Sequence, residues 1–221
     1  MDLPDEWGMA LCAGLAALLQ LAGFAAILTG IRAARVHPNP FSWLIWSIVA
    51  SLAAASSWRA GATWPLAGAA ANALGCFAVL MATLGRGGLH ASRADLACLG
   101  AALAGIAGWC WTSDPVIGLL LFLAADAVGA LPTLRSVARD PWSESVSGWT
   151  LLALAGLAAV LSIEPAHWRW SWLGFGHWGG AVYVAAINAL VAVAIVGSRA
   201  ARTSLHLARP SGPRERRPVQ A

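Results

Sequence analysis

Seven apolar stretches, each about as long as a bilayer is thick, divide this chain: residues 9–31, 41–58, 64–84, 95–112, 115–134, 147–163 and 178–198. A hydrocarbon core of about 30 Å takes roughly 17 to 25 residues of helix to cross. Hydrophobic residues make up 59% of the 221 and charged residues 11%, whereas about 25% of an ordinary soluble domain is charged. The pattern predicts an all-α membrane protein with seven transmembrane helices. The opening MDLPDEWG is acidic where a secretory signal is basic, so the first stretch is expected to be a span and not a cleaved leader.

Charge sets the expected orientation. The chain has fourteen arginines and no lysine. Arg32, Arg35, Arg86, Arg93, Arg135, Arg139 and six more from Arg199 to Arg217 fall on one side of the spans, and only Arg59 and Arg169 on the other. Because basic residues collect on the cytoplasmic side, the N-terminus is expected outside and the C-terminus in the cytoplasm. The net charge of +4 then follows from topology and contact with the lipid bilayer and does not call for nucleic acid. Residues 201–221, rich in arginine and proline at their end, are expected to form a disordered basic tail.

The chain repeats itself. A shift of 103 residues superposes Arg32 on Arg135, Pro38 on Pro141, Ser42 on Ser145 and Trp46 on Trp149, each pair lying between consecutive apolar stretches. The triplet NAL occurs at 72–74 and again at 188–190, an offset of 116, so about thirteen extra residues are expected before the last span, within 163–176. The arithmetic is three spans, a linking span and three more: residues 1–86 as a first half, 87–113 as the link and 114–200 as a second half. With spans one and five starting on the same side, the halves are expected to be parallel repeats about an axis along the membrane normal.

Depth singles out four polar residues. At about 1.5 Å per residue, Gln20, Asn72, Asp126 and Asn188 all lie near the middle of their spans. A polar group facing lipid there is expensive, so all four are expected to point inward. An amide donates and accepts hydrogen bonds, which suits an uncharged polar or zwitterionic solute. Interhelical hydrogen bonding is the plainer role for such amides. For Asp126 three roles stay open: proton coupling, a structural hydrogen bond to a neighbouring helix, and direct solute contact. Pro132, six residues further along, is expected to bend its helix by removing a backbone hydrogen bond.

This layout resembles the PQ-loop superfamily, which includes the SWEET-type sugar transporters. The residues that carry the likeness are the Pro40 to Trp46 corner (PFSWLIW) and Asp126, Gly129, Pro132 and Thr133 in DAVGALPT, within a match spanning about residues 9–200. Thr133 stands where the family has glutamine, and Thr29-Gly30 takes the equivalent place in the first half. The resemblance implies a small-solute transporter of a bacterial plasma membrane, working by alternating access. It implies Asn72 and Asn188 as substrate-binding residues facing a central cavity from opposite halves, with Gln20 beside them. It also places Pro132, Trp46 and Trp149 where gating helices bend. Related folds serve as receptors, so a non-transporting receptor or assembly protein is the alternative. A homo-oligomer is compatible with either.

The remaining residue types are expected to be structural. Cys12, Cys76, Cys98 and Cys110 fall inside spans without metal-ligand spacing, the histidines (His37, His90, His167, His177, His206) do not cluster, and no nucleophile elbow, phosphate loop or HExxH pattern occurs. No enzyme activity, metal or cofactor is expected. Most tryptophans, including Trp43, Trp46, Trp58, Trp64, Trp109, Trp111, Trp142, Trp149 and Trp178, are expected in the interfacial aromatic belts. Trp168, Trp170 and Trp172 suggest a segment lying on the outer leaflet. Arg32, Arg135, Arg139 and Glu144 are expected to meet headgroups or pair locally.

Overall fold

A computed structural model describes residues 5–59, 64–87, 91–112, 114–163 and 171–208. Among them are seven α-helices and no strand: α1 (Asp5–Arg32), α2 (Pro40–Arg59), α3 (Trp64–Gly87), α4 (Arg93–Trp111), α5 (Pro115–Arg139), α6 (Val146–Leu161) and α7 (Trp172–Ala208). Five of them are long and apolar enough to cross a membrane, and α2 and α6 contribute shorter apolar stretches, Pro40–Ser56 and Val146–Leu161. The all-helical membrane architecture is as the sequence predicts.

Polar residues just outside the apolar runs fix where helices begin. Asn39 Oδ1 accepts from the Phe41 amide at 2.8 Å, with Pro40 as first helical residue of α2. Ser145 Oγ accepts from the Gly148 amide at 3.1 Å at the start of α6, Ser92 and Asp95 form a reciprocal capping box on α4, and Asp114 caps α5 ahead of Pro115. Each satisfies amides that have no partner within the helix. At its end α1 closes in a Schellman arrangement, with Arg35 N–H donating to Gly30 O at 2.9 Å and Ala34 N–H to Ile31 O at 3.0 Å. That turn puts Ala34 in the left-handed region at φ 52°.

Helix neighbours follow one rule. α3 packs on α1 and α2, and α7 on α5 and α6, while α1 meets α6 and α2 meets α5. Six helices thus close a ring in the order α1, α3, α2, α5, α7, α6, and α4 packs outside against α5 and α2. The two corners of the ring, 33–39 and 140–145, lie against each other: His37 N–H donates to Ser143 O at 3.0 Å, and His37 Nε2 lies 2.9 Å from an Asp140 carboxylate oxygen. Arg86 at the end of α3 donates to Arg32 O at 2.5 Å, closing the carboxyl end of α1, and Arg202 of α7 does the same for α5 at Arg139 O.

Two expectations are corrected here. Residues 172–176 are the first turns of α7, not part of an insertion lying before it, and Trp172 is helical and not in a leaflet-lying loop; backbone groups in lipid must be satisfied within the helix, which outweighs the roughly 1 kcal/mol cost of each glycine there. α7 also runs eight residues into the segment expected to be a disordered tail. The Arg202 bond holds it to α5, and Thr203 and Ser204 hydroxyls donate back to Arg199 and Ala200 carbonyls at 3.0 Å; the next proline comes only at Pro210. Of the two roles open to Glu144, local pairing is the one seen: fully buried inside the second corner, it accepts from the indole of Trp149 five residues on. His90, His167, Trp168, Arg169, Trp170 and the tail 209–221 lie outside the described residues.

Candidate functional site

The ring encloses a cavity of about 330 Å³ lined from α1, α2, α3, α5, α6 and α7. Gln20, Asn72, Asp126 and Asn188 all line it, so the four polar residues of one depth are brought into one space. Gln20 Nε2 donates to Asn72 Oδ1 at 3.0 Å, joining α1 to α3. Across the cavity, Asn188 Nδ2 donates to Val184 O one turn back in its own helix at 2.8 Å. The Asn188 amide oxygen and its second N–H are left over.

Asp126 is held from two sides. The Tyr183 hydroxyl donates to its Oδ2 at 2.9 Å, and the Trp46 indole Nε1 donates to its main-chain carbonyl at 3.1 Å. Gly129 makes the second contact feasible, because a Cβ there would lie 2.9 Å from Trp46 Nε1. Tyr183 was not singled out in the sequence reading. The signal was present: it is the chain's one tyrosine, five residues before Asn188 inside an apolar helix.

Trp46 and Trp149 also line the cavity, joined by Trp43. Ring centroids lie 5.2 Å apart for Trp43 and Trp46, 5.8 Å for Trp43 and Trp149, and 5.4 Å for Trp46 and Trp149, with Phe24 6.3 Å from Trp43. The belt expectation is therefore overturned for Trp43, and for Trp46 and Trp149 it gives way to the alternative that their symmetric places in the repeat leave open, that they line the vestibule; all three are buried. Trp43 is one helical turn before Trp46 and so shares its face. Trp58, Trp111 and Trp142 are exposed near helix ends, and Trp109 packs on Phe122 at 6.3 Å.

The tryptophans close the cavity on the side of the two corners. From them it extends along the ring to Gly68, four residues into α3, and Ala159, two residues before the end of α6. Behind the tryptophans lies Glu144, whose Oε2 accepts from Trp149 Nε1 at 2.9 Å while Oε1 is buried without a hydrogen-bond partner. Burial pushes its carboxyl up from 4.5 to about 8, against the opposing pull of the Trp149 indole and the Asn39 amide. Arg199 spans the corner below, donating to Pro141 O at 2.9 Å and Glu144 O at 2.8 Å, with its guanidinium 4.6 Å from the Trp142 ring centroid.

Pro132 does not line the cavity. It is buried in α5 beyond Asp126, where the neighbouring Thr133 N–H is taken up by Ser42 Oγ from α2 at 3.0 Å. Among the described residues no three His, Cys, Asp or Glu side chains come together to hold a metal. Comparisons with protein-family models, curated proteins and solved structures find no match to this chain.

Proposed function

We propose that this chain is a small-solute transporter or facilitator built from two parallel three-helix halves, 1–86 and 114–200, joined by a linking helix. Three features support the duplicated plan. The list of helix neighbours in the ring is unchanged when α1, α2 and α3 are exchanged for α5, α6 and α7. Arg86 and Arg202, which close the ends of α1 and α5, are 116 residues apart, the same offset as Asn72 and Asn188. Each half also turns at a buried proline, Pro38 or Pro141, into a capped helix whose tryptophan reaches the centre. This plan is that of the PQ-loop superfamily.

The observation that carries the transport reading is the cavity itself, with polar groups from α1, α3, α5 and α7 and an aromatic wall on the side of the two corners. A site in the middle of the membrane, open toward one side, is what alternating access requires. With the arginine-rich ends in the cytoplasm, the cavity faces outward and the tryptophans with the two corners form the inner gate, in a bacterial plasma membrane with the N-terminus outside. Inward opening then separates Trp46 from Trp149 and parts the corner contacts of His37 with Ser143 and Asp140. Pro132 leaves α5 with a weakened turn beside Ser42, at the level where that movement begins. Asn72, Asn188 and Gln20 contact the solute, and Asp126 exchanges a proton or contacts solute directly.

Flux through proteoliposomes tests this reading. Vesicles holding the purified chain should take up at least one member of a panel of labelled amines, amino acids, sugars and nucleosides faster than protein-free vesicles, and Trp149→Arg at the gate should abolish the difference. Uptake equal to that of empty vesicles across the panel refutes it.

A further inference from the structure

Hydrogen bonds take up only part of the polar groups that line the cavity. Trp46 spends its indole N–H on the Asp126 carbonyl and Trp149 on Glu144, so these side chains offer the cavity ring surface and no donor. Tyr183 spends its hydroxyl proton on Asp126, and Asn188 spends an amide proton on its own helix. The Gln20–Asn72 pair satisfies one donor and one acceptor internally. What remains is mixed: Asp126 Oδ1 and the side-chain amide oxygens accept, while Asn188, Gln20 and Asn72 together keep four amide protons and Trp43 keeps an unpartnered indole N–H, so charge and not hydrogen bonding sets the class of ligand.

Charge decides. Among the described residues Asp126 is the one charged residue lining the cavity. An intramembrane carboxylate is costly unless a counter-charge is supplied, and aromatic faces attract cations through their quadrupole. A carboxylate-bearing solute would bring a second negative charge beside Asp126.

We infer that the cavity binds a small organic cation, an amine or ammonium compound with an apolar body, its charge set between the Asp126 carboxylate and the Trp43, Trp46 and Trp149 wall. The inference rests on the transport reading and specifies its substrate class, replacing the uncharged or zwitterionic solute expected from the asparagines. Asp126 contacts the ligand directly. The rest of the cavity, mostly alanine, leucine and valine, encloses the apolar part.

Choline and its neutral carbon isostere 3,3-dimethylbutan-1-ol separate charge from shape. With the detergent-purified full chain, choline should bind at least about tenfold more tightly than the isostere, the factor corresponding to about 1.4 kcal/mol, and glucose and glutamate should not compete. Asp126→Asn should reduce that ratio toward one. Trp43→Phe and Trp43→Leu should reduce it stepwise, and because Trp43 Nε1 has no hydrogen-bond partner neither change removes one. Each ratio is measured within a single protein, so a general loss of stability does not imitate the result. Equal binding of choline and isostere, or binding of glucose or glutamate instead, overturns the cation assignment while leaving transport standing. Absence of binding by every probe together with absence of flux overturns both.

Discussion

Replacing Glu144 by glutamine should flatten the dependence of stability on pH. In the folded chain this carboxyl is fully buried and titrates at about 8 instead of 4.5. Unfolding returns it to water, so between those values the folded state holds a proton that the unfolded state releases. The stabilisation is therefore complete below about 4.5 and is lost as pH rises through about 8. Integrated between about pH 5 and about pH 8, one such group costs the folded state roughly 3 kcal/mol. For a chain of this length that corresponds to about 6 to 12 °C in Tm. Glu144→Gln keeps an oxygen for the Trp149 indole and removes the titration. Thermal unfolding of detergent-solubilised protein should show wild-type Tm falling across this range and the variant falling by that much less. Taking the difference between the two proteins removes the contribution of every group that both share. Parallel Tm curves would refute the assignment of a proton to this site.

Three further changes probe the frame. Ala34→Gly should stabilise by about 0.5 to 1 kcal/mol, read as a rise in Tm, because glycine takes the left-handed conformation without the Cβ penalty. Gly156→Ala should destabilise by about 1 to 3 kcal/mol, since its Cβ would lie 2.6 Å from Ala185 Cα and 2.7 Å from Ala185 N; backbone cannot yield as a side chain does, and an unchanged Tm would mean α6 and α7 are not that close. Ser42→Ala should cost about 0.5 to 1.5 kcal/mol by removing the hydrogen bond to the buried Thr133 amide, read in the same melting assay.

The spans and the polar layer were legible because lipid enforces both: a helix must cover the bilayer, and an amide halfway along it must turn away from hydrocarbon. Depth says nothing about rotation around the helix axis for aromatic residues, which lipid, interface and core all accept. Trp43 and Trp149 therefore read as belt residues until α1, α2 and α6 were placed around them. For Glu144 local pairing prevails over a headgroup contact for a related reason. A carboxylate next to a span end suits a headgroup contact, and only the meeting of the two corners, 103 residues apart in the alignment of halves, encloses it. Tyr183 was legible in principle, as a lone phenol in an apolar helix whose hydroxyl needs a partner.

The two seams between the halves are unlike. Where α1 meets α6, a Cβ on Gly148 would come 3.2 Å from Gly23 O and 2.4 Å from an Ile27 side-chain carbon, so two smooth backbones lie almost in touch. Where α2 meets α5, the Trp46 indole and the Ser42 hydroxyl are fastened to main-chain atoms of the other helix. Any swing of one half against the other therefore has a spine along the glycine seam and a clasp along the tryptophan seam. Under the proposed alternating access the halves would part like a book held shut on one edge, and the clasp is attached to the same residue, Asp126, that faces the page.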